Sequence, residues 1–166
     1  SINMSYRGII TYSENAFAGT LDGDYHTIVG TKNPIFAYVY GTSYSKYSNV
    51  KKIIFLNAVI NTTNLSGGAG SGASVVARQV NYVNLEQIML IDSTGLQDGG
   101  FLAAIAKNKT PSDTYINVDQ CFSAGGNVSI TGGSMGSLVG HMLMGNIKNS
   151  GSINTALYAD MSIANI

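Results

Sequence analysis

One short pattern recurs down the chain: an apolar residue, two polar residues, then the start of a strand-like run. It stands at Val50-Lys51-Lys52-Ile53, Leu85-Glu86-Gln87-Ile88, Val118-Asp119-Gln120-Cys121 and Ile147-Lys148-Asn149-Ser150. Its leading residues lie 35, 33 and 29 positions apart, an interval typical of solenoid repeats. A second pattern, small-apolar-apolar-small, alternates with it at Ile35-Phe36-Ala37, Ser74-Val75-Val76-Ala77, Gly100-Phe101-Leu102-Ala103 and Ser137-Leu138-Val139-Gly140. Units this short cannot each bury a face alone. Stacked at about 4.8 Å, they pair their backbones and bring equivalent side chains into ranks. The expected fold is all-β: a right-handed parallel β-helix, or β-solenoid, of about four to six irregular coils.

The local composition agrees. Short apolar runs rich in Ile, Val, Tyr and Phe are separated by Gly, Asn, Ser and Asp, which is a strand-and-turn pattern. Strands are expected at 7–12, 27–29, 35–40, 52–56, 73–76, 86–91, 101–105, 115–118, 127–130, 137–139 and 153–157. Pro34 and Pro111 both fall at turns. The best helix candidate, 99–107, contains Ala103, Ala104 and Ala106, but it aligns with the repeat and is read as strand. Insertions are assigned to loops at 42–49, 62–72 and 107–114. Repeat units continue on both sides of the glycine-rich tract 66–72, so that tract reads as a long loop rather than an interdomain linker. The whole of 1–166 is read as one solenoid domain. Its last residues, 159–166, resemble the start of another coil, so it is expected to be a segment of a longer repeat protein or a stacking subunit.

Charge narrows the function classes. Charged residues are 11% of the chain and the formal net charge is zero, against a usual charged fraction of about 25%. A disordered chain combines low hydrophobicity with high net charge; this one is 45% hydrophobic. Lys51-Lys52 is the sole adjacent basic pair, so nothing favours counterion release from a nucleic acid. No apolar run reaches the roughly 18 residues of a spanning helix, so no membrane span is expected. Cys121 is the single cysteine, which excludes an intrachain disulfide and reads as a small core residue. The chain opens Ser1-Ile2-Asn3, without the charged and apolar regions of a signal peptide. Any such peptide is read as removed or as lying upstream.

Particular residues carry a family resemblance. Phe17, Gly19, Leu21, Asp22, Gly23, His26 and Ile28 match an F-x-G-x-L-D-G-x-x-H-x-I-like opening. Ile35-Phe36-Ala37-Tyr38-Val39 matches the turn that follows it, with Ala in place of Gly. Leu56-Asn57-Ala58-Val59-Ile60 matches the next strand, and Gly136-Ser137-Leu138-Val139-Gly140 a later repeat. In these residues the chain resembles the GLUG-motif β-helix proteins, which are adhesin-like proteins of microbial surfaces. The middle repeats, at 74–77 and 100–103, depart from the family pattern in having lost glycines. The resemblance implies a secreted or cell-surface location and a structural or adhesive role.

Candidate chemistry is sparse. Asp22, Asp24 and His26 form the one polar constellation with catalytic residue types. Asp-Gly favours a tight reversal, and the simpler reading is a turn in which Asp22 bonds its own backbone. No zinc motif completes a metal set, and no cofactor is expected. Glu86 and Asp119 occupy equivalent repeat positions, as do Lys51 and Lys148. A mixed-charge rank Lys51–Glu86–Asp119–Lys148 is therefore expected, in place of a carboxylate pair for glycoside hydrolysis. Tyr38, Tyr40, Tyr44 and Tyr47 cluster within ten residues. Tyr44 and Tyr47 are the candidate binding residues, since Tyr offers apolar area with a polar tip. Tyr38 and Tyr40 read as core. Asn3, Asn61, Asn64 and Asn108 head N-glycosylation sequons; Asn127 also does, but within an expected strand. The expected function is a non-catalytic extracellular structural or adhesive module, part of a surface fibre or filament. Its partners would be neighbouring coils, copies of itself or surface glycans. The rival readings are a carbohydrate-binding module and a polysaccharide-active β-helix enzyme. An ice-binding solenoid ranks last, for want of Thr-x-Thr ranks.

Overall fold

The computed structural model describes residues 2–3, 16–43, 45–61, 74–96, 99–100, 103–106, 116–130, 135–142 and 145–159. Among them, every regular element is a strand: β1 (Ile2–Asn3), β2 (Thr20–Val29), β3 (Phe36–Tyr40), β4 (Ser48–Leu56), β5 (Val59–Asn61), β6 (Ala77–Asn81), β7 (Val83–Ile91), β8 (Thr94–Leu96), β9 (Gly99–Gly100), β10 (Ala103–Ala106), β11 (Ile116–Asp119), β12 (Phe122–Ala124), β13 (Asn127–Ile130), β14 (Met135–Gly136), β15 (Val139–Met142), β16 (Gly145–Lys148), β17 (Gly151–Ile153) and β18 (Ala156–Ala159).

Three sheets carry the architecture. The first is ordered β1-β2-β4-β7-β11-β16, with β12 pairing β7 and β17. The second is β3-β6-β10-β15, the third β5-β8-β13-β18, and β9 pairs β14 apart from them. The chain visits the second, first and third sheets in turn, then returns to the second beside its earlier strand. Its strand pairs run parallel. This is the all-β, stacked, solenoid-like architecture that the repeat spacing predicts.

The register shows what the repeat does. Leu21, Val50, Leu85, Val118 and Ile147 are successive Cα partners across β2, β4, β7, β11 and β16. The leading residue of each repeat is thus one inward position, met once per layer. Val50 and Leu85 are fully buried. The two polar residues that follow have a backbone cause. In a straight strand faces alternate, and the second polar residue would point inward. Instead Lys52, Gln87, Gln120 and Asn149 adopt φ of 55°, 54°, 53° and 47°. That left-handed step bends the strand so that both polar residues face out. Ile53, Ile88 and Cys121 then turn back in and are buried.

A second rank of left-handed residues makes the corner between the first and third sheets. Gly30, Asn57, Asp92, Gly125 and Asn154 have φ between 48° and 70°. Gly, Asn and Asp tolerate this region best. Each of the first four donates its N–H to the next layer, onto the carbonyls of Leu56, Ile91, Ala124 and Ile153. One position on, Gly126 (φ 74°) lies so close to Ser93 that an added Cβ would collide with its carbonyl oxygen.

Side chains from all three sheets meet in one core: Phe36, Val39 and Val80 from the second, Phe55, Leu85 and Leu90 from the first, Ile60 and Val128 from the third. Each buried side chain of this size contributes about 1.5–3 kcal/mol.

Several expected boundaries move. The strand expected at 73–76 begins at Ala77; Val75 and Val76 lie in a bend whose carbonyls accept from Ile35 and Phe36 N–H at 3.0 Å. The strand expected at 137–139 begins at Val139. Val139 pairs with Ala103, and Gly136 with Gly100, one residue off the small-apolar-apolar-small alignment. The strand expected at 153–157 is cut at Asn154, where the chain turns from the first sheet to the third. The alanine-rich 99–107 segment holds β9 and β10, not a helix. The strand expected at 7–12 and the loops at 62–72 and 107–114 lie outside the described residues.

Candidate functional site

The outer face of the first sheet carries a ladder that the repeat pattern alone did not name. Asn84 Nδ2 donates to Asn49 Oδ1 at 2.9 Å, Asn117 Nδ2 to Asn84 Oδ1 at 2.9 Å, and Asn146 Nδ2 to Asn117 Oδ1 at 3.3 Å. Asn49 Nδ2 extends the run to Thr20 Oγ1 at 3.3 Å. Amides stacked one per strand in parallel register bond along the stack, as in cross-β assemblies. The signal was in the sequence: Asn stands immediately before the leading apolar residue of each repeat. The ladder is polar in the directional sense too, since every Nδ2 donates toward the N-terminal end.

Beside it runs the charge rank. The expected Lys51–Glu86–Asp119–Lys148 order is realised in register, and Asp22 heads it. The ion pairs differ from a simple alternation. Asp22 takes both Lys51, at 3.4 Å, and Lys52, at 3.8 Å. Asp119 Oδ1 accepts from Asn149 Nδ2 at 3.0 Å. Glu86 and Asp119 are neighbours on adjacent strands; among the described residues, this is the one place where the repeat brings two carboxylates into register.

Asp22, Asp24 and His26 form the expected turn. Asp24 N–H donates to Asp22 Oδ1 at 3.1 Å, and His26 Nδ1 lies 2.9 Å from Gly23 O. The bond from Asp24, with Lys51 and Lys52 alongside, holds the Asp22 carboxyl below the usual carboxylate range, against a smaller desolvation effect. Tyr25 stands 53% exposed on this bend. Its hydroxyl donates to Gln87 Oε1 at 3.0 Å, Gln87 Nε2 donates to Gln120 Oε1 at 2.9 Å, and Lys52 Nζ sits 5.8 Å from its ring centroid. Among the described residues, no group of three or more His, Cys, Asp or Glu is placed to hold a metal ion. No helix of the described residues is long and apolar enough to cross a membrane.

The tyrosines sort differently from expectation. Val39, like Phe36 of the same strand, is buried, and Tyr38 and Tyr40 flank it on the outer face, half-buried, with ring centroids 5.7 Å apart at 62°. Burial pushes the Tyr40 hydroxyl up to about 12. Tyr47 packs edge-on against the buried Tyr82 at 6.0 Å, and so anchors its loop. Tyr44 lies outside the described residues, as do Asn64 and Asn108. Asn3 and Asn61 fall in β1 and β5, and Asn127 is half-buried in β13. Cys121 is buried; its Sγ donates to Leu85 O and Asp119 O, each at 3.4 Å, and burial pushes the thiol up to about 11.

Two further surfaces stand out. On the outer face beyond the bend, Ile54, Met89 and Phe122 form one column, and Leu56, Ile91, Ala124 and Ile153 another. Met89 is 41% and Phe122 45% exposed. At the C-terminal side of the stack, the inward positions open out. Ile147 is 48% exposed where Val50, Leu85 and Val118 are buried, and Leu157 is 45% exposed where Ile60 and Val128 are buried. No family model, curated protein or solved structure matches the chain.

Proposed function

We propose that the chain is a non-catalytic structural and adhesive module: a right-handed parallel β-helix of about four to six coils that works by stacking, at the cell surface or outside the cell. The observation that carries this reading is the Asn49–Asn84–Asn117–Asn146 ladder with its flanking charge and left-handed ranks. The repeated polar residues bond from layer to layer along the stack and do not converge on a common point. The open positions at Ile147 and Leu157 give the stack an apolar end that another layer covers. The resemblance to GLUG-type repeats supports the same role. Electron microscopy of the native material, with mass determination alongside, tests it. Filaments or a long repeat array are the expected result; a monodisperse compact monomer would count against it.

A second reading, glycan binding, is favoured by one observation, the outward Tyr38–Tyr40 pair. Such rings offer apolar faces with polar tips. A glycan array read with wild type and Tyr40→Ala decides it, since saturable binding lost in the variant is required.

A further inference from the structure

The C-terminal edge of the stack is chemically specific about what it accepts. Among the described residues, β16, β17 and β18 pair on one side only, with β11, β12 and β13. Four groups on that edge stand open among the described residues. Among the described residues, Asn146 Oδ1 accepts no hydrogen bond, whereas Asn49, Asn84 and Asn117 each accept one. Lys148 is exposed and enters no ion pair among the described residues, although Asp119 stands opposite it in register on the N-terminal side. Ile147 and Leu157 expose inward positions that are buried at Val50, Leu85 and Val118, and at Ile60 and Val128, in the layers before them.

These four define a complement. We propose that the β16–β18 edge is a docking site for one further parallel coil. That coil places Asn, an apolar residue and an acidic residue in succession, with a second apolar residue ten positions after the first. Asn supplies the Nδ2 donor that Asn146 Oδ1 lacks, because the ladder's donors all point one way. The first apolar residue covers Ile147. The acid faces Lys148 across the strand pair, where opposite charges attract and like charges repel. The second apolar residue covers Leu157, because Ile147 and Leu157 are themselves ten positions apart. The preceding layer, Asn117-Val118-Asp119 with Val128, has this pattern in full. By contrast, Asn49-Val50-Lys51 with Ile60 would set a lysine on Lys148. The edge therefore discriminates among coils of its own repeat type by charge.

The inference rests on the stacking reading above. The probe is a fluorescent peptide reproducing residues 116–130 with Cys121→Ser, added to the whole chain. Expected results are saturable binding, with hydrogen-exchange protection confined to 145–159. Exchanging the peptide's acid for Lys (Asp119→Lys) weakens binding about three- to tenfold. In the Lys148→Glu protein that preference reverses. Absent binding, protection elsewhere, or an unchanged preference in Lys148→Glu overturns the proposal. Failure of the stacking reading appears separately, as a compact monomer in the microscope.

Discussion

Asn84 is bonded on both sides along the stack: it donates to Asn49 Oδ1 and accepts from Asn117 Nδ2, each at 2.9 Å. Replacing it with alanine removes both bonds and takes the ladder partners from Asn49 Oδ1 and Asn117 Nδ2, both on half-buried residues. The expected cost is about 1–2 kcal/mol. Asn146→Ala, at the exposed end of the ladder, removes one bond and should cost less than half as much. Urea unfolding of both variants checks this. Equal midpoints would mean that the ladder does not act along the stack.

Leu85 and Ile147 occupy one inward rank under different burial. Leu85 is fully buried and Ile147 is 48% exposed. Leu85→Ala should cost about 2–5 kcal/mol, through lost transfer energy and the cavity left behind. Ile147→Ala should cost under half of that in the isolated chain. If a further coil covers Ile147, the two costs converge, and the comparison also reports whether the edge is occupied.

How much of this was legible in the sequence depends on which force sets each position. Val50, Leu85, Val118 and Ile147 were readable because a stacked inward rank selects apolar residues, and the polar pair after each marked the repeat. The corner rank Gly30–Asn57–Asp92–Gly125–Asn154 was readable in principle, since left-handed backbone selects Gly, Asn and Asp. The bend at Lys52, Gln87 and Gln120 was not, because those residues have no such preference; the layer pairing on either side imposes it. The second sheet was read one residue out at Val139. There the small-apolar-apolar-small pattern describes a bend leading into the strand, and burial alone does not separate Val75-Val76 from a strand. Tyr38 and Tyr40 were read as core on hydrophobicity, whereas the alternation around Val39 turns both outward. The Asn ladder was missed because a hydrophobic-repeat search ignores polar residues, although an Asn stands immediately before each of the four leading residues.

Gly126 should be intolerant of any side chain. Its φ is 74°, and a Cβ there meets the Ser93 carbonyl. Gly126→Ala should destabilise by at least about 2 kcal/mol, combining backbone strain with the clash. Asn57→Gly, on the adjacent exposed corner rank, should be close to neutral, since glycine takes the left-handed region freely. Thermal unfolding of the two variants separates local crowding from a general dislike of substitution at the corner.

The alkaline limb of the stability curve should be steep. Burial raises Cys121 to about 11 and Tyr40 to about 12. The unfolded chain ionises both groups first, so the folded state loses stability as pH climbs past their ordinary values of 9.0 and 10.0. The loss continues until the folded groups titrate. Tyr40→Phe should flatten the limb above pH 10, and Cys121→Ser the part between pH 9 and pH 11. At neutral pH the Cys121 thiol should resist alkylation in the folded chain and react on unfolding, which a timed thiol-labelling assay reads directly. Rapid labelling without unfolding would contradict the buried, protonated thiol.

The acid limb should depend on Asp22. Its carboxyl is held below 3.8 by the Asp24 amide and by Lys51 and Lys52. A depressed folded pKa gives stability that is present above the unfolded value and is lost as pH falls through the folded one. Wild type should therefore exceed Asp22→Asn in stability near neutral pH, because Asn keeps an acceptor for the Asp24 amide but cannot pair with either lysine. The difference should shrink once pH drops below 3.8 and vanish when the folded carboxyl is protonated. Added salt should also reduce it, because the group is solvent-exposed and screened. Unfolding curves of both proteins across that range, at low and high salt, make the comparison. A difference that stayed constant through the acid range would show that the Asp22 charge does not contribute.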